Sequence, residues 1–432
     1  MSLWPRDGLW RQPDFLRLWG AQTISQFGSQ ITLLGLPLVA VLVLDASAFE
    51  VALLGVFDFL PFLVFSLPAG VWVDRLPRKP ILVLSDLGRA AVLLTVPVAA
   101  VLDALTMWQL YAVGFAAGTL TVFFDVAYQS YLPSLVTRRQ LVDGNSKLEV
   151  SRAGAQVAGP GVAGALVAAI TAPYAILVDA ISFVWSGLLL LRIKTRELVP
   201  EPTKQPSMKR ELLEGLRYIL SDARWRAFTI YVASVNFCTS LAFAVFIVFA
   251  VRELGLSEVM IGVVFAVGNI GPLLGAVLAG RIGRRFGPGP TVVAAAAVSG
   301  PPILLIPLAP ASFPVPFLIA SQLITGAAIV VFNVTGISLI QALTPARLLG
   351  RMNASRRFMV WGTIPLGSLS GGVLATVIGL RETIFVGGLL SCFCFLPLLF
   401  SPIRSIRELP EDGDSQIGDA RLPLETQVTT DA

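Results

Sequence analysis

Four carboxylic acids lie inside long apolar stretches of the sequence: Asp58, Asp86, Asp125 and Asp179. A carboxyl group there is a candidate for proton transfer, because it can be charged or neutral where ionisable groups are rare. The chain contains no histidine, so a proton relay within it must use a carboxylate. Asp58 lies about 12 Å along a helix from the start of its stretch, near the middle of a bilayer. Because no basic residue shares that stretch, we expect Asp58 to carry a proton if one is carried, with Asp125 and Asp179 as further candidates.

Asp86 is expected to have a different role, because Arg89 follows it three positions later. Residues three apart meet on one face of a helix, so their charges can neutralise each other. A lone charge in lipid is costly, which favours a structural ion pair of Asp86 with Arg89. The alternative is that Asp58 neutralises Arg89 from the preceding antiparallel helix.

Six amide side chains are candidates for the wall of a polar cavity. Many Phe and Leu residues surround them, and such a lining suits bulky, largely apolar molecules with a few hydrogen-bonding groups. For the three glutamines among them, the alternative is that they join packed helices by interhelical hydrogen bonds. The six are Gln22, Gln26 and Gln30, which share one helical face by their spacing of four, together with Asn236, Asn269 and Asn333.

The stretches that carry these residues are long enough to cross a membrane. Of the 432 residues, 55% are hydrophobic and 14% are charged, whereas soluble domains carry about 25% charged residues. Apolar runs of about 20 residues without period-two alternation indicate transmembrane helices and not barrel strands. We predict an all-α membrane protein with about twelve spans, near 16–44, 50–73, 80–102, 107–132, 148–170, 174–192, 226–250, 259–280, 290–309, 315–340, 356–378 and 383–403.

The basic residues predict the orientation of these spans. With the N-terminus inside, all but three of the 32 Lys and Arg residues fall on the inner side or in the tails. The exceptions are Arg252 and Arg381 outside and Arg89 within a span. Because Lys and Arg concentrate in cytoplasmic loops, we expect both termini in the cytoplasm. This explains the net charge of +5 without a nucleic-acid partner.

The link between the second and third spans carries a distinct pattern, GVWVDRLPRKP over residues 70–80. A positive-inside anchor would account for its bases, but not for its glycine and its acid. An anchor alone therefore does not explain this pattern. Its residues of interest are Gly70, Asp74, Arg75, Arg78 and Lys79.

The second half of the chain repeats features of the first. The segment AVLAGRIGRRF over 276–286 aligns with residues 70–80, with Gly280 in place of Asp74, and six residues between 130 and 164 recur 208 positions later. Such repeats are typical of transporters whose two six-helix halves are related by an axis along the membrane normal. We expect six-helix bundles over 1–192 and 223–404, joined by a cytoplasmic linker over 193–222 with an amphipathic helix around Leu212–Leu220. The tail over 405–432 is expected to be disordered.

These patterns resemble the major facilitator superfamily. The link over 70–80 resembles its loop 2–3 signature, and Gly159, Pro160 and Gly164 in AGPGVAG resemble the fifth-span antiporter motif of its drug exporters, with two motif glycines replaced by alanine. LVDAISFVWS over 177–186 and LGRMNASRRF over 349–358 look like the branch with the enterobactin exporter and bacterial macrolide-efflux proteins. The resemblance implies a two-bundle transporter that exports small molecules, usually in exchange for protons. It also implies that the link over 70–80 is a gating element and that Asp74 lies beside the start of the eleventh helix.

The fourth span departs from this family because it lacks the arginine of the family's proton-transfer motif. An importer of a nutrient or lipid and a non-transporting receptor are alternative functions, since fold fixes neither direction nor substrate. We expect a monomer in a bacterial inner membrane whose partners are a small-molecule substrate, protons and lipids. No enzyme activity, cofactor or metal site is expected, since the three cysteines, Cys238, Cys392 and Cys394, are too few and too scattered for a metal site.

Overall fold

The computed structural model describes residues 9–73, 75–137, 140–195, 197, 208–344 and 346–408. Within these residues the chain forms helices and short links, without a β-strand. Twelve segments of the described chain are long and apolar enough to cross a membrane. The predicted all-α membrane fold with about twelve spans is therefore confirmed.

Six long helices make up the first half of the protein, and each is a single membrane span. Five of them contain an internal proline and continue through it, although a proline removes one backbone hydrogen bond and bends a helix. The six are α1 (Pro13–Leu42), α2 (Ala48–Val73), α3 (Arg78–Val101), α4 (Met107–Leu135), α5 (Leu141–Ile170) and α6 (Ala172–Leu191).

The second half differs because all but one of its spans consist of two helical pieces. In the ninth span, the break contains the consecutive prolines Pro301 and Pro302, which cannot donate helical hydrogen bonds. After α7 (Met208–Ser221), the helices are α8 (Ala223–Phe243), α9 (Phe246–Arg252), α10 (Glu258–Gly268), α11 (Ile270–Phe286), α12 (Pro288–Ser299), α13 (Leu305–Leu308), α14 (Val315–Leu343), α15 (Ala346–Trp361), α16 (Thr363–Ile378), α17 (Leu380–Ser391) and α18 (Leu396–Leu399). The unbroken span is α14.

Two helices begin earlier than hydropathy predicts. The fifth begins at Leu141 and not near residue 148, and the helix leading into the eleventh span begins at Ala346 and not near 356. In α5 the added turns are polar and carry an Asp143–Lys147 ion pair, with side chains four residues apart. Such pairs stabilise helix outside the hydrocarbon. Hydropathy detects only the part of each helix that lies in lipid.

The predicted surface helix around Leu212–Leu220 corresponds to α7, which packs against α15 and α8. Residues 198–207 of the predicted linker and 409–432 of the predicted disordered tail lie outside the described residues. The first residue of the tail, Ser405, ends a short 3-10 turn over Pro402–Ser405, and residues 406–408 follow it.

The two halves meet along two helix pairs, α5 with α10 and α2 with α16. At the first pair, a Cβ added to Gly164 would overlap the backbone of Glu258 and Gly262. A Cβ added to Gly262 would in turn overlap the carbonyl oxygen of Pro160. Gly159 faces the other way, against Gln30 of α1. The motif residues of α5 therefore allow close contact on two sides, with α1 and with the second half.

The two ends of the molecule are packed differently. We call the end that holds Leu9 and Glu408 the terminal face, and the end that holds Asp45, Asp103 and Thr171 the distal face. Near the distal face, buried apolar residues of both halves form one continuous core. Near the terminal face, each half has a separate core of its own. The halves are therefore closed together at the distal face and apart at the terminal face.

Candidate functional site

A cavity of about 650 Å³ lies between the two halves. Helices α1, α2, α3, α4 and α6 supply its first-half wall, and the α8–α9 region and α16 supply the other. Its charged lining residues are Asp58, Asp125, Asp179 and Arg89. The three acids predicted as proton-carrying candidates thus share one cavity, although they lie on three different helices.

Asp58 projects from α2 into a space that α4 leaves open. A Cβ added to Gly114 would overlap the Asp58 carboxylate, and one added to Gly118 would overlap the Asp58 carbonyl. The aromatic residues Phe59 and Phe62 line the cavity beside it, with ring centroids 5.8 Å apart. Asp58 forms no hydrogen bond or ion pair with any described residue. It is a carboxylate without a protein counter-charge.

Arg89 is neutralised within its own helix. Its Nη2 donates to Asp86 Oδ1, and Asp86 is fully buried. The guanidinium carbon lies 4.1 Å from the ring centroid of Phe183 and 4.6 Å from that of Phe124. The structure therefore contains the local pair indicated by the spacing of three, whereas Asp58 forms no ion pair with Arg89.

The other two acids differ from Asp58 in their surroundings. Asp179 is fully buried and accepts hydrogen bonds from Thr32 Oγ1 and, at 2.9 Å, from Ser182 Oγ. Asp125 forms no ion pair within 4 Å among the described residues, but it interacts electrostatically with Arg89, Arg152 and Arg357. Both acids are therefore stabilised by groups of the protein itself.

The six amides fall into two groups. Gln22 and Gln26 line the cavity. The other four are outside its lining: Gln30 packs on Gly159, Asn236 donates to the Val360 carbonyl at 3.4 Å, Asn269 donates to the Gln156 carbonyl at 2.6 Å, and Asn333 is exposed on α14. Asn236 and Asn269 thus act as interhelical links, a role that was considered above only for the glutamines.

Several lining residues were not among the predicted site residues. Phe59, Phe62 and Phe243 form an aromatic wall, and a row of hydroxyl groups lines α1. The row consists of Ser25, Ser29 and Thr32, whose spacing of four and three places them on one helical face. This spacing could have identified the row of hydroxyl groups from the sequence. The phenylalanines carry none, because 26 of them are spread through the apolar spans.

The link between α2 and α3 contacts the first half of the molecule. Lys79 Nζ donates to the carbonyls of Leu191 at 2.9 Å and Ile193 at 2.7 Å, at the end of α6. Arg78 lies 3.9 Å from Glu197. Arg75 is exposed, and an added Cβ at Gly70 would meet no atom within 4 Å. Asp74 lies outside the described residues, so its predicted contact with the eleventh span stays a prediction.

Several bacterial transporters are similar in sequence over most of the chain. The multidrug efflux pump Tap of Mycolicibacterium fortuitum is 26% identical over 86% of this chain and 91% of its own length. Macrolide efflux protein A of Streptococcus pyogenes is 22% identical over 91% of this chain and 97% of its own. An MFS-type transporter of Bacillus subtilis, YfiS, is 25% identical, with coverages of 88% and 91%.

Solved transporter structures share the fold. A point mutant of the nucleoside transporter NupG matches with a TM-score of 0.74 at 12% identity, covering 89% of this chain and 99% of its own. A bacterial homologue of the iron transporter ferroportin matches at 17% identity in two states. Its inward-facing state has a TM-score of 0.69, with coverages of 91% and 99%, and its outward-facing state has 0.56, with coverages of 89% and 98%.

A family model described as transmembrane secretion effector matches residues 8–427. The twelve spans and the cavity between the two halves fit a carrier of small molecules. The chain therefore belongs to the transmembrane secretion effector family of major facilitator superfamily transporters.

Proposed function

We propose that this transporter exports amphiphilic small molecules from a bacterial cell in exchange for protons. The observation that carries the proposal is the cavity between the halves, which contains a carboxylate without a counter-charge. Two relatives are named for efflux, one of several drugs and one of macrolides. Residues 159–164, which resemble the antiporter motif, lie at contacts of α5 with both α1 and the second half, as expected for a segment that moves with the halves.

The proposed membrane is the bacterial inner membrane, with the terminal face towards the cytoplasm. Lys and Arg are concentrated in the links and tails of that face, as the positive-inside rule requires. Because the distal face is closed by a shared core and the terminal face is not, this state is then inward-facing. An exporter would load its substrate in this state, from the cytoplasm or the inner leaflet.

The cavity's size and lining suit a drug-sized amphiphile. Its volume of about 650 Å³ falls within the ~300–1,000 Å³ of small-molecule sites. Phenylalanine side chains of α2 and α8 offer apolar contact, while the glutamines and hydroxyls of α1 offer hydrogen bonds. A sugar phosphate would find few basic groups here, because the one arginine in the lining is paired with Asp86.

Asp58 is the proposed proton carrier. Since Arg89 has Asp86 as its partner, Asp58 is not needed to neutralise it. Protonation of Asp58 would leave no unpaired charge in the span, whereas protonation of Asp86 would leave Arg89 unpaired. Asp179 and Asp125 follow as secondary candidates, because each has polar or charged protein groups as partners that Asp58 lacks.

The test uses inverted membrane vesicles, in which export appears as uptake. We expect an inside-acidic pH gradient to drive uptake of a radiolabelled macrolide, and Asp58→Asn to abolish the gradient-driven part. Glu50→Gln is the matched control: it also changes an acid to its amide on α2, and its amide oxygen can still accept the bonds from Ser47. It should transport like the wild type.

Two outcomes would contradict the proposal. Uptake that persists when the pH gradient is dissipated would exclude proton exchange as the driving force. Accumulation in right-side-out vesicles alone would show import, which the fold allows, since a nucleoside transporter is among the structural neighbours. Gradient-driven uptake that survives in Asp58→Asn would transfer the proton-carrying role to Asp125 or Asp179.

A further inference from the structure

The charges around the cavity do not balance. Its lining contains three carboxylates, Asp58, Asp125 and Asp179, and one base, Arg89. Arg89 is already paired with Asp86, which is buried beside it, so that pair contributes no net charge. Asp125 also lies in the field of Arg152 and Arg357, which offset its charge in part. Asp58 and Asp179 therefore give the cavity a negative electrostatic potential whenever they are ionised.

Of the three acids, Asp58 has the fewest stabilising contacts with the protein. Both oxygens of Asp179 accept hydrogen bonds from protein hydroxyls, and Asp125 lies in the field of three arginines. Asp58 has neither kind of support among the described residues, and a glycine recess in α4 holds its carboxylate at the cavity wall. An unpaired charge in a membrane-embedded site is costly, so a cation that enters the cavity gains most at this position.

Aromatic rings stand beside this carboxylate. Phe59 and Phe62 line the same wall, with their ring centroids 5.8 Å apart. Aromatic faces attract organic cations, and the attraction grows when the cation is desolvated. A carboxylate with adjacent rings is a suitable site for a positive centre that carries apolar substituents.

We infer that the cavity selects lipophilic organic cations, with the positive centre against Asp58 and its apolar groups against Phe59 and Phe62. This inference rests on the proposed function, because it assigns a substrate class to the same cavity. It also gives a physical basis for exchange. A proton and an organic cation would neutralise the same carboxylate, so occupancy by one would exclude the other.

The remaining charged groups around Asp58 are compatible with this competition. Among the described residues, the charged side chains that line the cavity are Arg89 on α3, Asp125 on α4 and Asp179 on α6. On α15, which also packs against α2, Arg357 lies 4.1 Å from the ring centroid of Trp361 and acts on Asp125. The lining residues of α1, α8 and α16 carry no charge. Because Arg89 is held by Asp86, it does not supply the missing positive charge.

Two probes of nearly equal shape and opposite charge test the inference. Tetraphenylphosphonium is a permanent lipophilic cation, and tetraphenylborate is the corresponding anion. We expect the purified full-length protein to bind radiolabelled tetraphenylphosphonium and, in separate samples without the cation, to bind little radiolabelled tetraphenylborate. Asp58→Asn should weaken binding of the cation by about tenfold or more, since a charge-assisted contact is lost. Glu50→Gln should leave binding unchanged.

The pH dependence provides a second readout. Tetraphenylphosphonium has no titratable group, so any loss of its binding as the pH falls belongs to the protein. We expect that loss in the wild type and its absence in Asp58→Asn. Equal binding of both probes to the wild type would overturn the inference without recourse to a variant. So would unchanged binding of the cation to a folded Asp58→Asn protein, with thermal unfolding as the check of folding.

Failure of this inference and failure of the proposed function give different results. If the protein exports an uncharged amphiphile in vesicles but does not bind tetraphenylphosphonium, the substrate class is wrong and the export function stands. If it binds the cation at Asp58 but moves nothing under a pH gradient, the binding site stands and proton-coupled export is wrong.

Discussion

The position of Asp58 depends on two glycines in a neighbouring helix. Gly114 and Gly118 are one turn apart on α4, so both face α2 at the level of Asp58. A side chain at Gly114 would occupy the place of the carboxylate, and one at Gly118 the place of the Asp58 carbonyl. The recess is thus formed by missing side chains on α4, while the charge comes from α2.

Gly114→Ala should therefore displace Asp58 without changing any charge. We expect a loss of stability of about 1–3 kcal/mol, typical of an overpacked site, together with weaker transport. Thermal unfolding of the purified protein and vesicle transport measure the two effects. Gly154→Ala is the control, because a Cβ at Gly154 on α5 would meet no atom within 4 Å. It should be neutral or stabilising, since Ala favours helix over Gly by about 1 kcal/mol.

A Gly114→Ala protein as stable and active as the wild type would show that Asp58 can move aside at no cost. The geometry of the recess would then not determine function. Equal destabilisation by Gly154→Ala would mean instead that any added methyl group on these helices is harmful.

Sequence spacing predicted some residue contacts and not others. The pair of Asp86 with Arg89 follows from helical geometry alone, because both residues lie on one helix. The contact of Gln30 does not follow from spacing. Gln30 shares a helical face with Gln22 and Gln26, yet it packs against Gly159 of another helix. Spacing within one helix gives direction, but the facing partner depends on how the helices pack.

At the scale of elements, the distal turns of the first half use strained backbone. Asp45, Asp103 and Thr171 have φ values of 47°, 50° and 68°. Thr171, with ψ of 160°, lies in a region that is almost restricted to glycine. The equivalent turn of the second half, 208 positions later, has Gly379 with φ of 98°. The two halves thus share the turn geometry, but one copy has a β-branched residue at this position.

Replacing the strained residue should stabilise the α5–α6 turn. We expect Thr171→Gly to raise the free energy of unfolding by about 1–3 kcal/mol, the cost of such backbone strain, less the entropy cost of a glycine. Thermal unfolding in detergent measures the change. Thr171→Ala is the control, because it removes the same side-chain groups without freeing φ, and it should give no gain. Equal stability of the two variants would show that Thr171 is not strained.

Element positions were predictable because hydrophobic length reports the part of a helix in lipid. The extra polar turns of α5 and the breaks within the second-half spans were not predicted. The former are stabilised by the Asp143–Lys147 ion pair. Because most of the breaks contain no charged residue, a hydropathy average taken over the whole span does not detect them.

At the scale of the whole molecule, the distal face is closed by polar contacts as well as by the shared core. Arg252 of the second half donates from Nη2 to Asp45 Oδ1 at 2.6 Å and to the Ala46 carbonyl at 2.9 Å. These contacts join the two halves. At the terminal face, by contrast, Lys79 and Arg78 contact only the first half among the described residues. Alternating access would require the distal contacts to break.

Weakening the distal contacts should therefore shift the population towards the opposite state. Exposed ion pairs contribute about 0.2–1 kcal/mol, so Arg252→Met should raise the ratio of distal-open to distal-closed molecules by up to about fivefold. The measurement is labelling of Ser29→Cys, a cavity position, by a membrane-impermeant maleimide added at the distal side, with the native cysteines replaced by alanine. Asp74→Asn, at the proposed gate of the terminal face, should shift labelling in the opposite direction.

High salt should reduce the effect of Arg252→Met, because salt already screens the Arg252–Asp45 pair in the wild type. Labelling that is unchanged by Arg252→Met at low salt would leave the shared apolar core as the element that closes the distal face.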